Sequence, residues 1–206
     1  MPKALKIFWF LVILWCGCLR PQVVLAQPVY AVDPLVSQIK GSIHYSVIGK
    51  YEARFTAFLG TIVFDPKDLE HSLVNLKVKV ASLHSKFSRL DRIVISPRLL
   101  DAKRYPWITF EGRSLARVND HFEITADVTM HGITRRLTFP FQMQGPTKDS
   151  KGNVFLLAKG TWIIRRKDFS VIWNKVLDQG GIIVGDHVTV DWDITAVNTA
   201  KNPIAQ

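Results

Sequence analysis

Residues 125–145, TADVTMHGITRRLTFPFQMQG, constrain the fold more than any other stretch of this chain. Phe122, Ile124, Ala126, Val128 and Met130 share one parity, and Leu137, Phe139, Phe141 and Met143 repeat the pattern beyond a polar interruption. Side chains alternate between the two faces of a strand, so each run predicts a strand with one apolar face. His131-Gly132-Ile133-Thr134-Arg135-Arg136 is the expected corner between them, with Gly132 free to take a positive φ.

The same rhythm recurs along the chain. Residues 29–37 open with a short strand broken at Asp33-Pro34, and 39–47 alternate through Ile43, Tyr45 and Val47. A strand over 55–64 closes at the turn signal Asp65-Pro66. Over 72–81, Val74, Leu76, Val78 and Val80 lie opposite Asn75, Lys77 and Lys79, which is a half-buried strand with a wet outer face. Residues 83–104 break the rhythm. There Ser96-Pro97 resembles an N-cap followed by proline in the first turn, and predicts a short helix over 98–102. Further strands are expected at 107–112, 155–164 and 188–197. No alternation of strand and helix appears, which disfavours a parallel nucleotide-binding sheet. An antiparallel sandwich and a closed barrel both fit the spacing.

The first residues read as an export leader. Lys3 and Lys6 precede an apolar run from Ile7, and Val24-Leu25-Ala26 supplies the small residues of a cleavage site before Gln27. The expected organisation is a signal peptide over 1–26 and one domain over 27–206, with a periplasmic location. Both cysteines, Cys16 and Cys18, fall in the leader, so the domain has neither a disulfide nor a thiolate to work with. The whole chain carries a net +10, and removing Lys3, Lys6 and Arg20 leaves +7. That excess suits peripheral contact with an anionic membrane. The absence of an arginine-rich tract or an aromatic-basic stripe argues against nucleic acid.

Six blocks, in order, resemble the YceI-like family of bacterial periplasmic proteins. They are YAVDP at 30–34, GTIVFDP at 60–66, YPWITF at 105–110, DVTMHGITR at 127–135, RRKDF at 165–169 and VGDHVTV at 184–190. The resemblance covers residues 29 to 198. It implies an all-β fold, an eight-stranded antiparallel lipocalin-like barrel with one short helix, whose elongated apolar cavity holds a polyisoprenoid such as an isoprenoid quinone or a polyprenyl phosphate. Two departures stand out. Family members carry His and Arg in a motif around Asp91, where this chain has Leu90, Arg92, Ile93, Val94 and Ile95. The histidine usual near Gly49 is also missing.

These readings define the candidates. The lipid-binding set is Val78, Ile108, Phe110, Val128, Phe139, Phe141, Trp162, Ile164, Phe169 and Trp192. The polar set at the cavity mouth is Asp91, Arg135, Arg165 and Asp168. The six histidines show no zinc spacing, His131 reads as a corner residue, and no metal or cofactor is expected. No Gly-x-Ser-x-Gly motif or paired-carboxylate pattern is present, so a non-enzymatic carrier is expected. The alternative is a packed barrel acting as a structural or interaction module, docked on an anionic membrane or a membrane redox partner. The oligomeric state is open, a homodimer included.

Overall fold

The computed structural model describes residues 28–45, 49–172 and 184–199; the expected leader lies outside them. Eleven strands and one short helix follow one another. They are β1 (Val29–Val32), β2 (Gln38–Tyr45), β3 (Gly49–Phe55), β4 (Phe58–Asp65), β5 (Asp68–Lys79), β6 (Leu83–Ser85), α1 (Ser88–Val94), β7 (Trp107–Val118), β8 (His121–Met130), β9 (Ile133–Lys148), β10 (Val154–Arg165) and β11 (His187–Asn198).

Three pairs of strands are single staves with a break. β1 and β2 both pair with β11, Tyr30 opposite Asn198 and Ile39 opposite Trp192. β1 pairs with β4 and β2 with β3, while β5 and β6 pair with β4 and β3 in turn. The result is a closed, up-and-down antiparallel barrel of eight staves. Closure removes the free sheet edges that an open sandwich would keep.

The break at Asp33-Pro34 has a local cause. Proline cannot donate to the ladder, and the Asp33 carboxylate instead accepts the Leu35 N–H at 2.9 Å. Ser37 restores contact with β11: its Oγ donates to the Thr195 carbonyl (3.2 Å) and accepts the Thr195 N–H (2.9 Å).

The hairpin of residues 125–145 is tighter than its sequence suggests. Only His131 and Gly132 form the turn, with φ of 53° and 76°, and Met130 pairs with Ile133 directly across it. Two positive φ values define a type I′ turn, whose twist matches the strands it joins. Thr134 to Arg136 therefore belong to β9.

The helix is not where the sequence placed it. It spans Ser88–Val94, and 98–102 folds as tight turns. Ser96 Oγ donates to the Ile93 carbonyl (2.7 Å) and accepts the Arg98 N–H (3.3 Å), so it ends the helix behind it rather than starting one ahead. Leu100 N–H to Val94 O and Ala102 N–H to Ile95 O then fold the segment back over the helix end.

The meander places the turns after β4, β7 and β9 at one end, together with Val29 and Asn198. That end is packed by Tyr30, Phe64, Leu156 and Ala196, each 2% exposed or less. The opposite end carries α1, the His131-Gly132 turn and the 3-10 turn Arg166–Phe169. Val80, Leu100, Phe169 and Val171 are buried there.

Candidate functional site

Inside the staves lies a cavity of about 380 Å³. Alternation builds its wall, because each stave turns every second side chain inward. β5 supplies Val74, Leu76 and Val78, β7 supplies Ile108 and Phe110, and β11 supplies Val188, Val190, Trp192 and Ile194. The β3 half of its stave, for which the sequence predicted no strand, adds Tyr51, Ala53 and Phe55. Its signal was present as alternation with Lys50, Glu52 and Arg54, diluted by the small Gly49 and Ala53.

Most of the lipid-binding candidates line this space: Val78, Ile108, Phe110, Val128, Phe141, Trp162, Ile164 and Trp192. Phe139 and Phe169 are not among the lining residues. Phe139 is buried behind the Trp162 indole, stacked on it at 4.1 Å between centroids and 17° between planes. Phe169 is 1% exposed in the 3-10 turn, where its carbonyl accepts a hydrogen bond from His131 Nδ1 (3.2 Å). Trp162 also stacks on Phe110 (5.2 Å, 15°) and meets Trp192 at 5.0 Å. The Trp192 indole N–H is buried with no acceptor among the described residues.

α1 closes one end. Leu90, Ile93, Val94, Leu99 and Leu100 of its segment face the cavity, which gives the departures from the family pattern at 90–95 a place: they are lid, apolar on its underside. Asp91, 7% exposed, holds the lid down. Its carboxylate accepts Tyr51 Oη–H (2.6 Å), Ser85 Oγ–H (2.5 Å) and Ser85 N–H (2.9 Å). Burial alone would raise the Asp91 carboxyl, but the hydrogen bonds from Ser85 and Tyr51 together hold it below its ordinary value. Burial, reinforced by the Asp91 bond, pushes the Tyr51 hydroxyl far up. The three groups work as a clasp between the lid and two staves.

The other polar candidates stand outside the cavity. Arg135 Nε donates to the Asp168 carbonyl (3.1 Å), and Arg165 lies 4.0 Å from the Asp168 carboxylate, all on exposed side chains. The cation that does reach the lining is Arg166, 6% exposed. It donates to the carbonyls of Val171 (2.7 Å), Gly185 (2.9 Å) and Val184 (3.2 Å), and to the Asp186 carboxylate (3.1 Å). Lys167, the Asp186 carboxylate's nearest hydrogen-bond donor at 2.7 Å, holds that carboxyl below its usual range. On the outer face, Asp127 accepts a two-pronged bond from Arg136 (2.8 and 2.9 Å) and a third from Arg113 (2.7 Å), which lock the register of β7, β8 and β9. Among the described residues no group of His, Cys, Asp and Glu is arranged to hold a metal.

A closed eight-stranded antiparallel barrel around an apolar interior gives this chain the architecture of the lipocalin-like barrels. The chain belongs to the YceI-like family, whose domain model matches residues 30–196. A UPF0312 protein of Vibrio parahaemolyticus is 30% identical over 121 residues, 58% of this chain and 64% of that protein. Protein YceI of Escherichia coli O157:H7 is 28% identical over 117 residues, 57% of this chain and 61% of that protein. The matched stretch thus spans under two thirds of the length of these curated relatives. Burkholderia cenocepacia BcnA has the same fold, at TM-score 0.70 and 21% identity, over 80% of this chain and 98% of that one. So does a polyisoprenoid binding domain from Saccharophagus degradans, at TM-score 0.61 and 14% identity, over 82% and 98%.

Proposed function

We propose that this protein is an exported, non-enzymatic carrier that holds a polyisoprenoid lipid inside its barrel. The observation that carries the reading is the cavity: a space of about 380 Å³ inside the staves with a wall of aliphatic and aromatic side chains. Its volume falls in the usual range of ligand sites, roughly 300–1,000 Å³. Burying an apolar chain there drives binding at about 25 cal/mol per Å² removed from water. Catalysis would need a nucleophile beside a base, or separated carboxylates, facing that space; Arg166, the charged residue in the lining, and Asp91 under the lid are held by their own hydrogen bonds.

The lining favours a neutral headgroup such as a quinone over a polyprenyl phosphate. Arg166 is neutralised by Asp186 and occupied by three carbonyls, so it offers no free cation to a phosphate. The apolar leader ending at Ala26 supports export to the periplasm, and the basic excess supports a peripheral encounter with an anionic membrane.

The test is to purify the protein from a native membrane-containing host, extract it with organic solvent and analyse the extract by mass spectrometry. A prenyl quinone in stoichiometric amount is the expected result. If no lipid co-purifies and neither added prenyl quinone nor polyprenyl phosphate binds, the carrier reading is wrong.

A further inference from the structure

How an apolar ligand enters is a physical problem for this barrel. One end is packed by Tyr30, Phe64, Leu156 and Ala196, and the other is covered by α1 and clasped through buried Asp91. The wall itself has a weak line. β9 and β10 pair only near their shared turn, from Val154–Lys148 to Lys159–Gln142. Beyond that point, residues 133–141 and 160–165 run on without a ladder between them. Each strand is fully paired on its far side, β9 with β8 as far as Met130–Ile133, and β10 with β11 as far as Arg165–His187. The parting is therefore a seam between two well-held strands, not a frayed end.

The sequence builds the seam. Pro140 has no N–H to give. Its carbonyl accepts a hydrogen bond from Trp162 Nε1 across the gap (3.3 Å), and the N and O of one strand residue point the same way, so the missing donor is on the side that faces β10. What reaches across is the Trp162 ring, which packs against both Phe139 and Phe110, themselves 6.3 Å apart. Outside, Ile163 is 65% exposed on the free stretch of β10. At the lidded end the seam is drawn shut by Arg135 Nε to Asp168 O and His131 Nδ1 to Phe169 O. A second incompletely paired line runs between β5 and β7 beyond Asn75–Glu111; its first unladdered position is packed, since a Cβ on Gly112 would come within 3.2 Å of Val74 Cβ, and neither strand carries a proline along it.

We propose that the β9–β10 seam is a side port for the apolar ligand and that Trp162 is its plug. This rests on the carrier reading above. Swinging the indole aside breaks one side-chain hydrogen bond and its ring contacts with Phe139, Phe110 and Trp192. Opening any fully laddered line would break a row of backbone bonds at once, and lifting α1 would break the three bonds to a buried carboxylate. The port also suits a ligand that arrives from a lipid surface, because a slot along the wall admits a chain sideways and an axial mouth demands that the chain be drawn out end-on.

The test uses the full chain, a short-chain prenyl quinone as ligand and phosphatidylcholine vesicles as donor or acceptor, with quinone transfer followed after rapid separation. Trp162→Ala should raise the rate of uptake by about tenfold as well as the rate of release. A residue that only contributes binding contacts would raise release alone. Pro140→Val, which restores an N–H to β9, should slow both rates. Asp91→Asn, which loosens the lid, should accelerate exchange much less than Trp162→Ala does. Circular dichroism confirms that each variant is folded. If Asp91→Asn accelerates exchange and Trp162→Ala does not, the ligand passes under α1 and the port is wrong. If the unchanged protein takes up no prenyl quinone, the carrier reading falls and the port with it; binding with rates indifferent to Trp162 overturns the port alone.

Discussion

At His131-Gly132 a turn, a ring contact and a long-range hydrogen bond meet in two residues. Both take positive φ, and a Cβ on Gly132 would lie 2.6 Å from Tyr105 Cε1. The Tyr105 ring in turn meets the His131 imidazole edge-on at 4.8 Å, and that imidazole holds the Phe169 carbonyl. Gly132→Ala therefore brings a left-handed backbone penalty and displaces the ring that positions His131. The expected cost is about 1–3 kcal/mol, read as a lower urea midpoint with unchanged slope. An unchanged midpoint would mean that the turn relaxes freely and that its glycine is not needed. Residue-scale reading from sequence succeeded here because a hairpin with glycine leaves few solutions. It stopped short at Arg165. The run Leu156, Ala158, Trp162, Ile164 already gave the inward parity, and the next position in that series is Arg166. The family-like block drew attention to the cluster, and alternation carried past the strand end would have picked the buried member.

Among the elements, α1 shows why a short helix is harder to place than a strand. Its seven residues offer less than two turns of periodicity, and its N-cap residue, Phe87, makes no side-chain cap. Ser96-Pro97 has the better local signal, yet tertiary bonds decide: Asp91 must sit where Tyr51 and Ser85 converge, and that fixes the helix upstream. Asp91→Asn leaves one acceptor oxygen for three donors and should cost about 1–3 kcal/mol at neutral pH. The pH dependence has a definite sign. A carboxyl held below its ordinary value of 3.8 stabilises the fold above that value, and the gain is lost as pH falls through the lower folded value. Tyr51 is shifted the other way, so its contribution is complete below its ordinary value of 10.0 and fades as pH rises beyond it. Chemical-denaturation midpoints measured from pH 2 to 6 should fall less steeply on the acid side for Asp91→Asn than for the unchanged protein. Parallel acid limbs would show that the clasp contributes nothing to lid stability.

For the whole molecule, the antiparallel β class was legible because alternation is a backbone property that nearly every stave repeats, while the count of eight came with the family resemblance, since alternation passed over β3. Whether the staves enclose a space was not legible. The inward set Val78, Ile108, Phe110, Val128, Phe141 and Trp192 would look the same lining a cavity or filling a core, because periodicity reports which face is dry and not how far the opposite wall stands. A substitution that adds volume separates the two cases. Val190 faces the cavity between Gly41 of β2 and Trp162 of β10, its two cross-strand partners. In a packed core, Val190→Phe would force its neighbours off their rotamers and cost about 1–3 kcal/mol. In an open barrel the new ring occupies free space and stays dry, so stability should hold or rise slightly. The space it takes is space for a ligand, so equilibrium uptake of prenyl quinone should fall by about tenfold. Thermal unfolding and a quinone titration on the same preparation decide it. A destabilised variant with undiminished quinone binding would show a filled interior and move the ligand to the surface of the barrel.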